Sequence, residues 1–177
     1  MNPLLAIRGL TVTVPGPCGP APVVREASLE VRSGEAVGLV GASGAGKSMT
    51  AFAALRLLPS GVRVAGGRVL LDGRDLLALS EPEMRRVRGE RIAMVFQEPM
   101  TALNPAFTVG FQVAEAVRAH RRADRREARA EARRLLERVG LAGAGRRLGA
   151  YPHELSGGER QRVVIAMALA CRPALLL

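Results

Sequence analysis

Aromatic side chains are scarce in this chain: no tryptophan, one tyrosine and four phenylalanines in 177 residues. Its core must therefore be aliphatic, and the 48% apolar content can supply one. Lysine occurs once, at Lys47, against 25 arginines. Long apolar runs are missing too. The longest, Val163 to Cys171, has nine residues, whereas a membrane-spanning helix takes about twenty. The N-terminus lacks the basic start, long apolar stretch and small-residue cleavage site of a secretory leader. Cys18 and Cys171 form no metal-binding or redox spacing, so free thiols in a reducing cytosol are the simplest expectation.

Acidic charge is in deficit. A formal charge of +10 points to anionic partners: nucleotide, nucleic acid or a membrane surface. Eleven of the arginines lie between Arg118 and Arg147. Such a run is more often a solvated helix face than a binding site.

The length fits one domain of ordinary size, or one with a sizeable insertion. Leu10 to Val14 and Val23 to Val31 read as strands, separated by a loop holding four prolines in the eight residues Pro15 to Pro22. Ala36 to Val40, AVGLV, is apolar throughout and reads as a central strand buried on both faces. A helix is expected from Lys47 to Leu58, a strand from Gly67 to Leu71, and a short helix opened by a capping box at Ser80 and Glu83. Ile92 to Phe96 reads as another buried strand. From Gly110 to about Val139 the texture is helical, with Asp124 and Glu127 as a cap. Ser156 to Glu159 is a further capping box, opening a helix that runs to Ala170. The expectation is an α/β core interrupted by a helical insert.

The one lysine lies in Gly41-Ala42-Ser43-Gly44-Ala45-Gly46-Lys47-Ser48, which matches G-x-x-x-x-G-K-[ST] between an apolar strand-like segment and a helix. Glycines let successive N–H groups turn inward onto phosphate oxygens, and the helix start adds its positive dipole end. Gly41, Ser43, Gly44, Ala45, Gly46, Lys47, Ser48 and Met49 are the candidate ATP-phosphate ligands, with the Ser48 hydroxyl on Mg²⁺. A compact ammonium on a thin stem reaches the outer phosphates, whereas a planar guanidinium does not fit the same cradle. The motif alone leaves GTPases, kinases, helicases and motors open.

Leu155-Ser156-Gly157-Gly158-Glu159, followed by Arg160-Gln161-Arg162, resembles the LSGGQ signature of ATP-binding-cassette (ABC) proteins. A purely structural cap needs the Ser and Glu but not two glycines, each of which weakens a helix by about 1 kcal/mol. Gln97 stands at the family's Q-loop position. FQEPMTALNP (Phe96 to Pro105) and the stretch Tyr151 to Pro173 look like the dipeptide, oligopeptide and nickel importer ATPases. The resemblance runs from about Leu4 to Leu177.

That resemblance implies a P-loop NTPase core of mainly parallel sheet, with an N-terminal antiparallel β portion and an inserted all-helical subdomain. Its parts would be a first core segment (1–97), the helical subdomain (98–155) and a return to the core (156–177). It implies an ATPase that powers uptake of peptides or a related solute. Gln97 would contact Mg²⁺ and the attacking water, while Ser156, Gly157, Gly158 and Glu159 would close over ATP held by a second subunit. Further expected partners are permease subunits at residues 98–104 and, indirectly, a solute-binding protein. The expected location is peripheral, on the cytoplasmic face of the membrane, where the arginine run would meet anionic headgroups. Other solutes (nickel, a peptide antibiotic, a phosphonate-related compound) remain open within the family, and a soluble ABC ATPase acting on nucleic acid is the less favoured alternative.

Two departures bear on activity. No aromatic residue precedes Phe52 to stack on adenine, and Val14 stands near that position. The family's Walker B aspartate, catalytic glutamate and switch histidine are not found after Pro173 to Leu177. The general base for hydrolysis is thus expected outside these residues, and the 177-residue chain is expected to be largely inactive alone.

Overall fold

The computed structural model describes residues 3–96, 102–121 and 123–177. Packing divides the chain into two units, Met1–Arg85 and Arg86–Leu177.

In the first unit, β1 (Leu5–Val14), β2 (Ala21–Val31), β3 (Arg63–Leu71) and β4 (Arg74–Asp75) form an antiparallel sheet in the order β2-β1-β3-β4. The β1–β2 register sets Leu5 opposite Val31 and Val12 opposite Val24, so one face is continuous aliphatic surface. At the Pro-rich turn between them, Gly16 and Gly19 each donate an N–H to the other's carbonyl. Helix α1 (Lys47–Leu55) lies against β1 and β2 and buries Thr50, Ala53, Ala54 and Leu55. It ends three residues short of the expected Leu58. Arg56 adopts a left-handed conformation (φ 53°) and its N–H caps the Ala53 and Phe52 carbonyls.

Helix α2 (Glu81–Glu90) crosses the boundary between the units and is broken inside, with Arg88 extended and Gly89 at φ 86°. Its cap differs from the reciprocal box expected. The N–H and the hydroxyl of Ser80 both donate to Glu83 Oε2, so the hydroxyl spends its proton on the carboxylate.

The expected central strand Ala36–Val40 does not form. The segment joins no ladder, and Val37, Leu39 and Val40 are 47%, 51% and 90% exposed. An apolar run becomes a strand buried on both faces only when neighbours pair with it along each edge, and none does so among the described residues. Parallel pairing is instead carried by β5 (Ile92–Ala93) and β6 (Leu175–Leu176) in the second unit, with Ile92 opposite Leu175. The fold class is α/β with an antiparallel N-terminal sheet, as expected.

The rest of the second unit is helical: α3 (Val109–His120), α4 (Arg125–Arg138), the short α5 (Ala144–Arg147) and α6 (Gly157–Leu169). The helical stretch expected from Gly110 to about Val139 is two helices, the second opened by the expected cap at Asp124 and Glu127. Arg121 is extended after α3, and Asp124 starts α4 afresh. Asp124 Oδ1 accepts from the Glu127 N–H at 2.8 Å, and Glu127 Oε2 accepts from the Asp124 N–H at 3.1 Å. Val109, Val113 and Val117 of α3 meet Ala128, Ala132 and Leu136 of α4 and Val163 and Ala166 of α6 in one aliphatic core. Among the described residues of the basic run, five arginines are ion-paired: Arg118 to Glu115, Arg121 and Arg134 to Glu131, Arg133 to Glu137, and Arg147 to Glu159.

Candidate nucleotide site

The glycine-rich loop ends on Gly46, which is buried and in the left-handed conformation at φ 82°. A Cβ there would stand 2.6 Å from the Val23 carbonyl oxygen and 2.9 Å from Val24 Cγ2, so only glycine lets the loop pass beneath β2. The Gly46 carbonyl accepts from the Thr50 N–H at 2.9 Å and the Thr50 hydroxyl at 3.0 Å, which locks the turn to α1. No side chain caps this helix. Its first-turn N–H groups, at Lys47, Ser48 and Met49, are therefore left for an outside acceptor. Gly41 through Ala45 are exposed around them, and Ser48 is exposed at the same turn.

Lys47 reaches back over the loop. Its Nζ donates to the Gly41 carbonyl at 2.8 Å and to the Ala42 carbonyl at 2.7 Å. The ammonium thus sits across the loop on two of its own carbonyls. A phosphate chain, carrying full negative charge, is a stronger acceptor for the same donor. The residues present fit ATP: a cradle closed to any Cβ at Gly46, an uncapped helix start, and one cation held at the rim.

The signature residues form a second, separate element in the other unit. Ser156 Oγ accepts from the Glu159 N–H at 3.3 Å, and Glu159 Oε2 accepts from the Ser156 N–H at 2.8 Å. A Cβ at Gly157 or Gly158 would meet nothing within 4 Å. The chain's own packing does not require glycine at either place, so the open face fits close approach by something from outside. Tyr151 and His153, just upstream, stack on each other with ring centroids 5.6 Å apart.

The Ser156 N–H, the Ser156 side chain and then the Arg147 charge hold the Glu159 carboxyl below the ordinary carboxylate value of 4.5. A carboxylate depressed on folding adds stability above its unfolded pKa and loses it as pH falls through the folded one. The Ser156–Glu159 cap is therefore expected to stay closed at pH 5 and to loosen only as pH drops below about 4.5. Amide exchange at Ser156, followed down the pH scale, measures this. Faster intrinsic-corrected exchange already at pH 6 would contradict it.

Gln97, the sequence candidate for contacting water and Mg²⁺, lies outside the described residues, as do positions 98–101. Sequence reading missed three contributors: Val23 and Val24, which roof Gly46, and Arg147, which pairs with Glu159 at 3.1 Å. Arg147 stands twelve residues before its partner, inside a run that reads as solvated surface, so local pattern gave no sign of it.

The family model for ABC transporters matches residues 24–177. The chain belongs to the ABC transporter family. It is 53% identical over 151 residues to a Sinorhizobium fredii protein named probable peptide ABC transporter ATP-binding protein y4tR, covering 85% of this chain and 45% of that one. It is 46% identical over 174 residues to the oligopeptide transport ATP-binding protein OppD of Escherichia coli, covering 98% of this chain and 51% of OppD. The chain thus spans about half the length of these curated relatives. Among solved structures it resembles a dimeric post-hydrolysis state of the ATP-binding cassette MJ0796 bound to ADP and Pi. The TM-score is 0.85 at 28% identity, over 97% of this chain and 72% of that one. No helix among the described residues of this ABC chain is long and apolar enough to cross a membrane.

Proposed function

We propose that this chain is the nucleotide-binding part of an ABC importer subunit that couples ATP to uptake of peptides or a related solute through a membrane permease. The observation that carries the reading is Lys47, seated on the Gly41 and Ala42 carbonyls above an uncapped helix start. The backbone of Gly41 to Met49 would hold the phosphates. Ser48, with Gln97 from beyond the described residues, would hold Mg²⁺. The metal, when bound, neutralises charge on the outer phosphates. Ser156 to Glu159 would serve the ATP of a second ABC subunit, and the dimeric MJ0796 cassette supports such pairing. The names of the relatives support transport of peptides; a peripheral place on the cytoplasmic face of the membrane and permease contact near residues 98–104 belong to the same proposal.

These 177 residues are expected to bind ATP without appreciable turnover. Calorimetric titration with ATP·Mg²⁺ and a phosphate-release assay on the same chain test this together. Binding that weakens when Mg²⁺ is chelated, with release near background, supports the reading. Nucleic-acid affinity that rivals ATP affinity and falls steeply with salt would favour a soluble ABC ATPase instead.

A further inference from the structure

A helix start that receives an anion works because its free N–H donors and dipole face outward. At the start of α6 this chain places a carboxylate, Glu159, where the LSGGQ signature has an uncharged amide. Either side chain can accept the Ser156 N–H. The carboxylate, however, adds a full negative charge in the same turn, where it repels a phosphate chain approaching Gly157 and Gly158.

The structure offers a counter-charge. One Glu159 oxygen, Oε2, takes the Ser156 N–H at 2.8 Å, and the other, Oε1, faces Arg147 Nη2 at 3.1 Å. Arg147 ends α5, and the backbone just beyond it is fixed to α3: the Gly110 N–H donates to the Leu148 carbonyl, and the Val109 N–H to the Ala150 carbonyl. Leu148 itself is buried in the aliphatic core. The guanidinium therefore works from an anchored base rather than from a free surface chain.

We propose that Arg147 is a positioning residue of the signature loop, cancelling the Glu159 charge and holding the carboxylate on the Ser156 cap so that the loop accepts a phosphate chain. The proposal rests on the reading that this loop receives nucleotide. It assigns Arg147 a role that a conservative change at Glu159 should make dispensable.

The test is an NMR titration of the ¹⁵N-labelled 177-residue chain with inorganic tripolyphosphate, following the amides of Gly157 and Gly158. Arg147→Ala is expected to weaken the apparent affinity at these amides about fivefold, as loss of a half-exposed charge pair allows. Adding Glu159→Gln to that variant is expected to restore affinity to within about twofold of the parent, because a neutral amide needs no counter-cation. Unchanged amide positions for Val163 and Ala166 in the aliphatic core confirm that each variant is folded. An Arg147→Ala variant that binds like the parent overturns the proposal. So does one that binds weakly and is not rescued by Glu159→Gln, which would make Arg147 a purely structural support. Silence at Gly157 and Gly158 in the parent overturns it as well. The amides of Gly44 to Lys47 report the phosphate cradle separately, so failure of the wider nucleotide reading shows there.

Discussion

Lys47→Ala is expected to leave the fold intact and to lower ATP affinity by a factor of about 100, since a hydrogen bond to a charged group contributes about 1.5–3 kcal/mol. Among the described residues the Lys47 ammonium is bonded to the carbonyls of Gly41 and Ala42, both in the exposed part of the loop. Water can take over those two acceptors, so thermal stability without ligand should change little. Lys47 is the chain's one lysine, so no second ammonium is at hand to take its place on the phosphates. Lys47→Arg is the sharper variant. It keeps the charge, but a flat five-donor fork cannot fold into the space an ammonium fills between two adjacent carbonyls. Calorimetry with ATP·Mg²⁺ on both variants decides the point. If arginine restores parental affinity, charge alone matters and the argument from shape is wrong.

Gly46→Ala is expected to lose about 3 kcal/mol of stability and nucleotide binding together. Two costs combine. A non-glycine residue held at positive φ costs about 1–3 kcal/mol, and Gly46 stands at φ 82°. A methyl group there would also press against the Val23 carbonyl oxygen at 2.6 Å, a backbone atom that cannot swing aside as a side chain would. Relief requires the loop to back away from β2, which carries the N–H groups of the α1 first turn out of register with each other. Urea unfolding measures the first effect, and ATP titration at a temperature where the variant remains folded measures the second. A variant with parental stability would show that β2 yields more easily than the close contact implies.

How much of this could be read from the residues depends on the range of the interaction involved. The caps at Asp124 and Ser156 were legible because each is closed by a residue three positions away. The phosphate loop was legible for the same reason: its glycines, lysine and serine lie in eight consecutive positions. Ala36–Val40 was misread because burial belongs to a segment's neighbours. Five apolar residues in a row look alike whether strands flank them or solvent does, and here Val40 faces solvent. In the helical stretch from Gly110 to about Val139 the second start shows at Asp124, but the end of the first helix does not, since a periodic apolar face continues across a break when both helices pack on one core. The roof over Gly46 and the pairing of Arg147 with Glu159 join distant positions, and no local pattern announces either.

The empty space beside Gly157 and Gly158 sets folding and use against each other. Alanine would clash with nothing at either site and would favour the helix. A library sorted only for resistance to heat or protease should therefore drift away from both glycines within a few rounds, whereas one sorted for phosphate binding at this loop should keep them. The position at which those two selections part company marks a surface shaped for a visitor rather than for the chain itself.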